Sequence, residues 1–227
     1  MKEPILKVKN LNVKLDSEEI IKGLSFEVKE GDVLTILGPN GAGKTVLLKT
    51  LVGIFPYKGK IEWRKDVRIG YVPQRVPFVK DIPINVEEFF LLKTTSEEAR
   101  EILESVGFEG SILKKRLGDL SSGQFQRILV AWALVKNPNV LLFDEPMAGI
   151  DISGKETIYN LLFKLKKERN LTILLVTHDL SVVFKFSNFV VCLNKCPICQ
   201  GVPKKVLTPQ VLHKLYKEEV KFYTHRH

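Results

Sequence analysis

The segment 38-GPNGAGKT-45 constrains this chain more than any other stretch of its 227 residues. It follows the apolar run 33-VLTIL-37 and opens the apolar-periodic run 46-VLLKTLVGI-54, so a buried strand turns through a glycine-rich loop into a helix. Gly38, Gly41 and Gly43 let the backbone turn back with its amides inward, and Pro39, Asn40 and Ala42 complete the loop. The helix N-terminus adds positive potential, and phosphate is the ligand such a loop accepts. Lys44 supplies a point charge for the outer phosphates. Thr45 offers a hydroxyl to Mg²⁺, a hard cation that phosphates alone leave under-coordinated.

The rest of the pattern extends this unit into an α/β fold. Aliphatic and β-branched runs near 5–13, 20–28, 32–37, 60–64 and 67–72 predict a strand-rich opening. Beyond Pro83 the period becomes helical, with Val86, Phe89 and Phe90, then Ile102, Leu103 and Val106, and with Ser96 as an N-cap, up to Gly118. Short buried strands at 140–143, 172–176 and 189–193 then alternate with helices, the pattern of a parallel sheet with crossovers. Ser153 with Glu156 predicts a capping box, and Thr208 before Pro209 a second helix start. With 44% hydrophobic and 27% charged residues the chain has the material for a core. The longest apolar runs, such as 128-ILVAWALV-135, fall short of the ~18 residues a membrane span needs, and MKEPILKVKN has no secretory apolar stretch. Three cysteines make no disulfide framework and point to a reducing cytoplasmic compartment. A net charge of +9 suits nucleic acid, an anionic membrane surface and nucleotide phosphates alike.

Two further segments carry chemistry. In 140-VLLFDEP-146 a buried strand ends on two acids and a proline, which packing does not require. Asp144 there suits Mg²⁺ or its water shell, and Glu145 suits proton abstraction from an attacking water. In 120-LSSGQFQR-127, Ser121 and Gln124 stand at capping-box spacing, so a helix there presents its N-terminus to an anion.

With that segment the chain resembles, over nearly its whole length, the ATP-binding subunits of ABC transporters. The family's order of motifs is matched by Gly38 to Thr45, Gln74, the signature Leu120 to Gln124, Asp144 with Glu145, and His178. The resemblance implies a P-loop NTPase core with a mostly parallel sheet, an N-terminal antiparallel β subdomain and an inserted helical subdomain. The whole chain would be one ABC ATPase domain, with 1–84 and 138–227 as β subdomain and core and 85–137 as the helical subdomain. It also implies ATP and Mg²⁺ as cofactors, with Gln74 touching Mg²⁺ and attacking water, and His178 contacting the γ-phosphate. The signature residues Ser121, Ser122, Gly123 and Gln124 would bind the nucleotide of a partner in an ATP-bound homodimer, with Asp151 in the loop that crosses between sites. Three positions depart from the family pattern. Leu15 stands where an aromatic residue stacks on adenine, Val46 replaces a second hydroxyl beside the inner phosphates, and Ser122 replaces the first signature glycine. These predict looser nucleotide binding with the catalytic set intact.

The segments 71-YVPQR-75, 82-IPINVEEF-89 and 192-CLNKCPICQGVP-203, with the terminal 225-HRH-227, look like the zinc and manganese importer branch. That branch implies integral membrane permease subunits as partners, an extracytoplasmic metal-binding protein indirectly, and a peripheral place on the cytoplasmic face of the membrane. Cys196, Cys199, His225 and His227 supply the four donors of a tetrahedral zinc site. The other readings are a transporter subunit for another solute, or a soluble relative acting on nucleic acid or the ribosome. Such soluble relatives carry a second cassette or a coiled-coil insertion, which 227 residues do not hold, so no nucleic-acid partner is expected.

Overall fold

The structure is a computed structural model that describes residues 3–74, 83–145 and 152–216, the side chains of 152–157 excepted. Along the chain the strands are β1 (Leu6–Leu15), β2 (Glu18–Val28), β3 (Val33–Leu37), β4 (Lys58–Trp63), β5 (Ile69–Val72), β6 (Val140–Asp144), β7 (Thr172–Val176), β8 (Phe189–Asn194) and β9 (Cys196–Gly201). The helices are α1 (Lys44–Leu51), α2 (Val86–Leu91), α3 (Ser96–Ser105), α4 (Ser122–Leu134), α5 (Ile152–Arg169), α6 (Leu180–Phe186), α7 (Pro203–Val206) and α8 (Pro209–Tyr216). They divide into two compact bodies, residues 1–64 with 174–227, and residues 65–173.

The first body holds an antiparallel sheet, β2-β1-β4, and a second group in which β3 lies between β7 and β8, with β9 outside β8. All five residues of β3 and of β7 are buried, as strands covered on both faces must be. β3 runs parallel to β8, and Leu37 at its end pairs in register with Cys192. The one polar residue in β3, Thr35, is fully buried and shares a hydrogen bond with the Ser187 hydroxyl. Asn188 brackets the start of the pair: its Oδ1 accepts from Val33 N at 2.8 Å, and its own amide donates to Val33 O at 2.9 Å. β1 and β2 instead alternate buried and outward residues, as one-sided antiparallel strands do. Leu37, Val183, Val190, Cys192, Leu207, Leu212 and Leu215 form a buried cluster, in which α8 packs against β8 and β9. Thr208 caps α8 as expected, its hydroxyl accepting from Val211 N at 3.3 Å.

The second body holds the parallel pair β5 and β6. Gly70 in β5 lies against α4 so closely that a Cβ would stand 2.3 Å from Ala133 O. α4 buries seven of its residues, and its Trp132 stacks on Phe89 with ring centroids 4.1 Å apart. α2 opens with a capping box between Asn85 and Glu88, a start that the apolar spacing alone did not reveal. α3 begins one residue earlier than expected. The cap is Thr95, whose hydroxyl accepts from Glu98 N at 3.3 Å, and Ser96 is already helical. Both are short hydroxyl residues, so sequence alone separates them poorly. The predicted box between Ser153 and Glu156 falls on side chains outside those described. No described helix is long and apolar enough to cross a membrane.

The cysteines pair in a way the sequence did not reveal. Cys192 and Cys199 are register partners on β8 and β9 with Cα atoms 4.9 Å apart, and they form a disulfide. Their seven-residue separation gave no hint of this, because only the hairpin register brings them together. With Cys199 bonded to Cys192, the zinc set built on Cys196 and Cys199 lacks one of its thiolates in this structure. Cys199 packs with the buried cluster and is bonded to Cys192, whereas Cys196 is exposed and carries a free thiol. His225 and His227 lie outside the described residues. Among the described residues no group of three His, Cys, Asp or Glu side chains is placed to hold a metal.

Candidate functional site

In the first body, the fully buried β3 carries the chain into the loop at Gly38. A Cβ on Gly38 would stand 2.1 Å from Leu193 O, so packing against β8 demands glycine there. Gly41 and Gly43 are required for a different reason, with φ of 78° and 94° in the left-handed region. Gly43 also passes close under β2, where an added Cβ would lie 3.1 Å from Ile20 O. Nothing lies within 4 Å of the Cβ position of Gly41, which leaves open space on that side of the loop. Lys44, only 5% exposed, donates from Nζ to Gly38 O and Pro39 O, each at 2.9 Å. Its ammonium is thereby fixed within the loop at the start of α1, whose first turn contains no acidic residue to cancel the helix field. Thr45 and Val46 follow, both half-buried.

Leu15 is half-buried at the end of β1, before the turn Asp16–Ser17 that leads into β2. Lys195 Nζ forms a 2.7 Å ion pair with Glu18, the first residue of β2, and holds its carboxyl below the usual range. The Lys195 amide donates to Ala42 O at 3.2 Å. His178 is exposed just after β7, one residue past Thr177, whose amide donates to Ile36 O on β3 at 3.4 Å. It precedes Asp179, the N-cap of α6, whose Oδ1 accepts from Ser181 N at 2.9 Å.

In the second body, Asp144 ends β6 with 1% exposure, and its Oδ2 accepts from Tyr71 OH at 3.2 Å. Burial, and then the Asp144 charge and hydrogen bond, push the Tyr71 phenol well above its ordinary value, so it remains a donor. Glu145 follows with φ of 43°, a left-handed conformation costly for a residue with a Cβ and of the kind concentrated at functional sites. Gln74 Nε2 donates to Glu145 Oε2 at 2.9 Å. The structure thus brings together two residues picked out separately by sequence, Gln74 and Glu145, and adds one that was missed, Tyr71. The signal for Tyr71 was its place in 71-YVPQR-75 on a strand running parallel to the one that ends on Asp144.

The signature segment opens α4 as expected. Ser121 Oγ accepts from Gln124 N at 3.2 Å, and Gln124 Oε1 accepts from Ser121 N at 3.1 Å. Ser121 and Ser122 are exposed, nothing lies within 4 Å of the Cβ position of Gly123, and the first turn bears no acid. The helix therefore offers an open, electropositive N-terminus. Asp151 lies outside the described residues.

A phosphate loop between a buried strand and a helix, in an α/β chain, defines a P-loop nucleotide-binding protein. The model of the ABC transporter family matches residues 21–148. A protein of Thermotoga maritima described as a metal transport system ATP-binding protein is 41% identical over 225 residues, covering 94% of this chain and 91% of that one. The zinc import ATP-binding protein ZnuC of Mannheimia succiniciproducens is 36% identical over 234 residues, covering 100% of this chain and 88% of that one. Among solved structures, an inward-facing ABC transporter described as of the metal-chelate type aligns with a TM-score of 0.84 at 29% identity, over 94% of this chain and 89% of that one. CbiO1 of Clostridium perfringens, part of the ABC transporter complex cbiONQ, aligns with a TM-score of 0.77 at 30% identity, over 90% of each chain. The chain belongs to the ABC transporter family, and within it to the ATP-hydrolysing subunits.

Proposed function

We propose that this chain is the ATPase of an importer that drives a divalent metal ion, zinc or manganese, through a separate membrane permease. It works as a homodimer at the cytoplasmic face, on metal handed to the permease by an extracytoplasmic binding protein. The observation that carries the ATPase reading is the phosphate loop, with Lys44 locked between Gly38 O and Pro39 O. The metal rests on the names of relatives that match across nearly the whole chain. In this reading residues 85–137 serve as the helical subdomain that carries the signature, and 1–84 with 138–227 as the β subdomain and core.

The loop amides of Gly41 to Thr45 and the Lys44 ammonium hold the β- and γ-phosphates. The Thr45 hydroxyl, the buried Asp144 carboxylate and the Gln74 amide oxygen are hard oxygen donors of the kind Mg²⁺ takes. Once bound, that ion neutralises charge developing on the phosphate oxygens. Tyr71 keeps its proton and orients Asp144. Glu145, held by Gln74 and by its own backbone, accepts the proton of the water that attacks the γ-phosphorus as the bond to ADP breaks. His178 contacts the γ-phosphate. Ser121, Ser122, Gly123 and Gln124 present the α4 N-terminus to the nucleotide of the partner subunit, with Asp151 crossing between sites. Leu15 offers the base an aliphatic surface in place of a ring, and Val46 leaves the inner phosphates one hydroxyl short.

The test is Glu145→Gln, which retains ATP binding while phosphate release falls by roughly 10²- to 10⁴-fold, the contribution of a general base. An ATP-bound dimer should then persist on gel filtration. Turnover near that of the wild type would remove Glu145 from the role.

A further inference from the structure

The β8–β9 hairpin holds the phosphate loop at three points. Leu37, the last residue before the loop, is the register partner of Cys192. Gly38 packs against Leu193, with room for no Cβ. At the hairpin turn Lys195, with φ of 59°, donates its amide to Ala42 O at 3.2 Å. The same residue binds the hairpin to β2, accepting from Lys22 N at 2.9 Å and pairing with Glu18. The two strands of this hairpin are joined by Cys192–Cys199, with Cys192 fully buried in the cluster that contains Leu37 and Cys199 half-buried beside it. A covalent bond thus sits one register step from the loop that takes the phosphates.

We propose that Cys192 and Cys199 form a thiol–disulfide modification site through which small thiols and disulfides of the glutathione class set the ATP affinity of the phosphate loop. This rests on the reading of that loop as the ATP site. Reduction begins when an external thiolate attacks Cys199 Sγ, the more accessible sulfur; the S–S bond breaks and Cys192 leaves as a thiolate that takes up a proton. A second external thiol then attacks the reagent's sulfur in the mixed disulfide, releasing Cys199 as a thiol and the reagent as its own disulfide. Two electrons pass to the protein, and the reverse sequence restores the bond. With the bond made, the turn that carries Lys195 is held in place before ATP arrives. With it broken, ordering that turn is charged against ATP binding. Cys196 on the same hairpin is exposed and outside the pair, which makes it the internal control.

The experiment equilibrates the full chain in glutathione buffers from fully reduced to fully oxidised. Paired thiols are read by alkylation and mass spectrometry, and the ATP dissociation constant by equilibrium titration. On oxidation the wild type pairs Cys192 with Cys199 and binds ATP about fivefold tighter, the low end of ordinary coupling between sites. Cys196→Ser responds in the same way, while Cys199→Ser shows the reduced affinity in every buffer. Cys192→Ala removes the bond by a second route should Cys199→Ser fold poorly. Failure of the pair to form in any buffer, pairing without a change in affinity, or a response that survives in Cys199→Ser each overturns the proposal. Normal pairing with no ATP binding in any buffer overturns both the proposal and the nucleotide reading, and the thiol readout distinguishes that case from a failure of the cysteine site.

Discussion

Gly38→Ala tests how tightly the phosphate loop is positioned. The added Cβ would stand 2.1 Å from Leu193 O, and this neighbour is backbone. Carbon–oxygen contacts of this kind ordinarily lie at about 3.3–3.6 Å, so loop and hairpin must part by roughly 1.2 Å. Leu193 is fully buried in a strand paired on both sides, which leaves the loop as the part that yields. Overpacking of this kind costs about 1–3 kcal/mol, and at this chain length each kcal/mol lowers Tm by roughly 2–4 °C. A displacement near 1 Å of groups that position a reacting phosphate costs about 10²-fold in turnover. Gly41→Ala gives the contrast. Its Cβ meets nothing within 4 Å, but φ of 78° penalises any Cβ by about 1–2 kcal/mol. Gly41→Asn should therefore be milder than Gly41→Ala, since Asn tolerates the left-handed region, whereas no side chain is milder than Ala at Gly38. Thermal melts and phosphate release on the four proteins decide it. Native Tm and turnover in Gly38→Ala would refute the close packing of loop against hairpin.

Because the folded-state value of Tyr71 is raised, its stabilisation is complete below its ordinary value near 10 and is lost as pH climbs above it. Urea midpoints from pH 9 to 11.5 should fall less steeply in Tyr71→Phe than in the wild type, and equal slopes would show that the phenol is not shifted. With Leu15 in place of a stacking ring, ATP and GTP affinities should agree within about tenfold, because base–aromatic stacking of roughly 1–3 kcal/mol is absent; a preference above a hundredfold in titrations would reveal another base contact. Ser121→Ala removes the α4 cap and should cost about 1 kcal/mol in urea denaturation, with a larger relative loss in ATP-dependent dimerisation. A variant that dimerises as readily as the wild type would take the signature helix out of the interface.

What the sequence made legible is what local chemistry dictates. The phosphate loop needs glycines at fixed offsets, and β3, β6 and β7 announce themselves because strands covered on both faces read as near-continuous apolar runs. The Ser121–Gln124 capping box is likewise a four-residue pattern whose two hydrogen bonds follow from spacing alone. What stayed hidden depends on partners distant in sequence. Gln74 and Glu145 are 71 positions apart, and Tyr71 and Asp144 are 73, so no window could join them. The cysteines illustrate the same limit. Cys196 and Cys199 suggested two zinc donors, but β9 extends through that segment and the hairpin register hands Cys199 to Cys192. Gly38 looked like one more flexible loop glycine, when its constraint is the close approach of Leu193.

Coupling of ATP hydrolysis at this site to metal import is read out by transport itself. The chain, reconstituted with the permease that co-purifies with it in proteoliposomes, with ATP supplied on the face that exposes the ATPase, should accumulate radioactive zinc or manganese in step with phosphate release. Glu145→Gln should abolish both. Brisk hydrolysis with no ATP-dependent movement of either metal, or metal movement undiminished in Glu145→Gln, would contradict it.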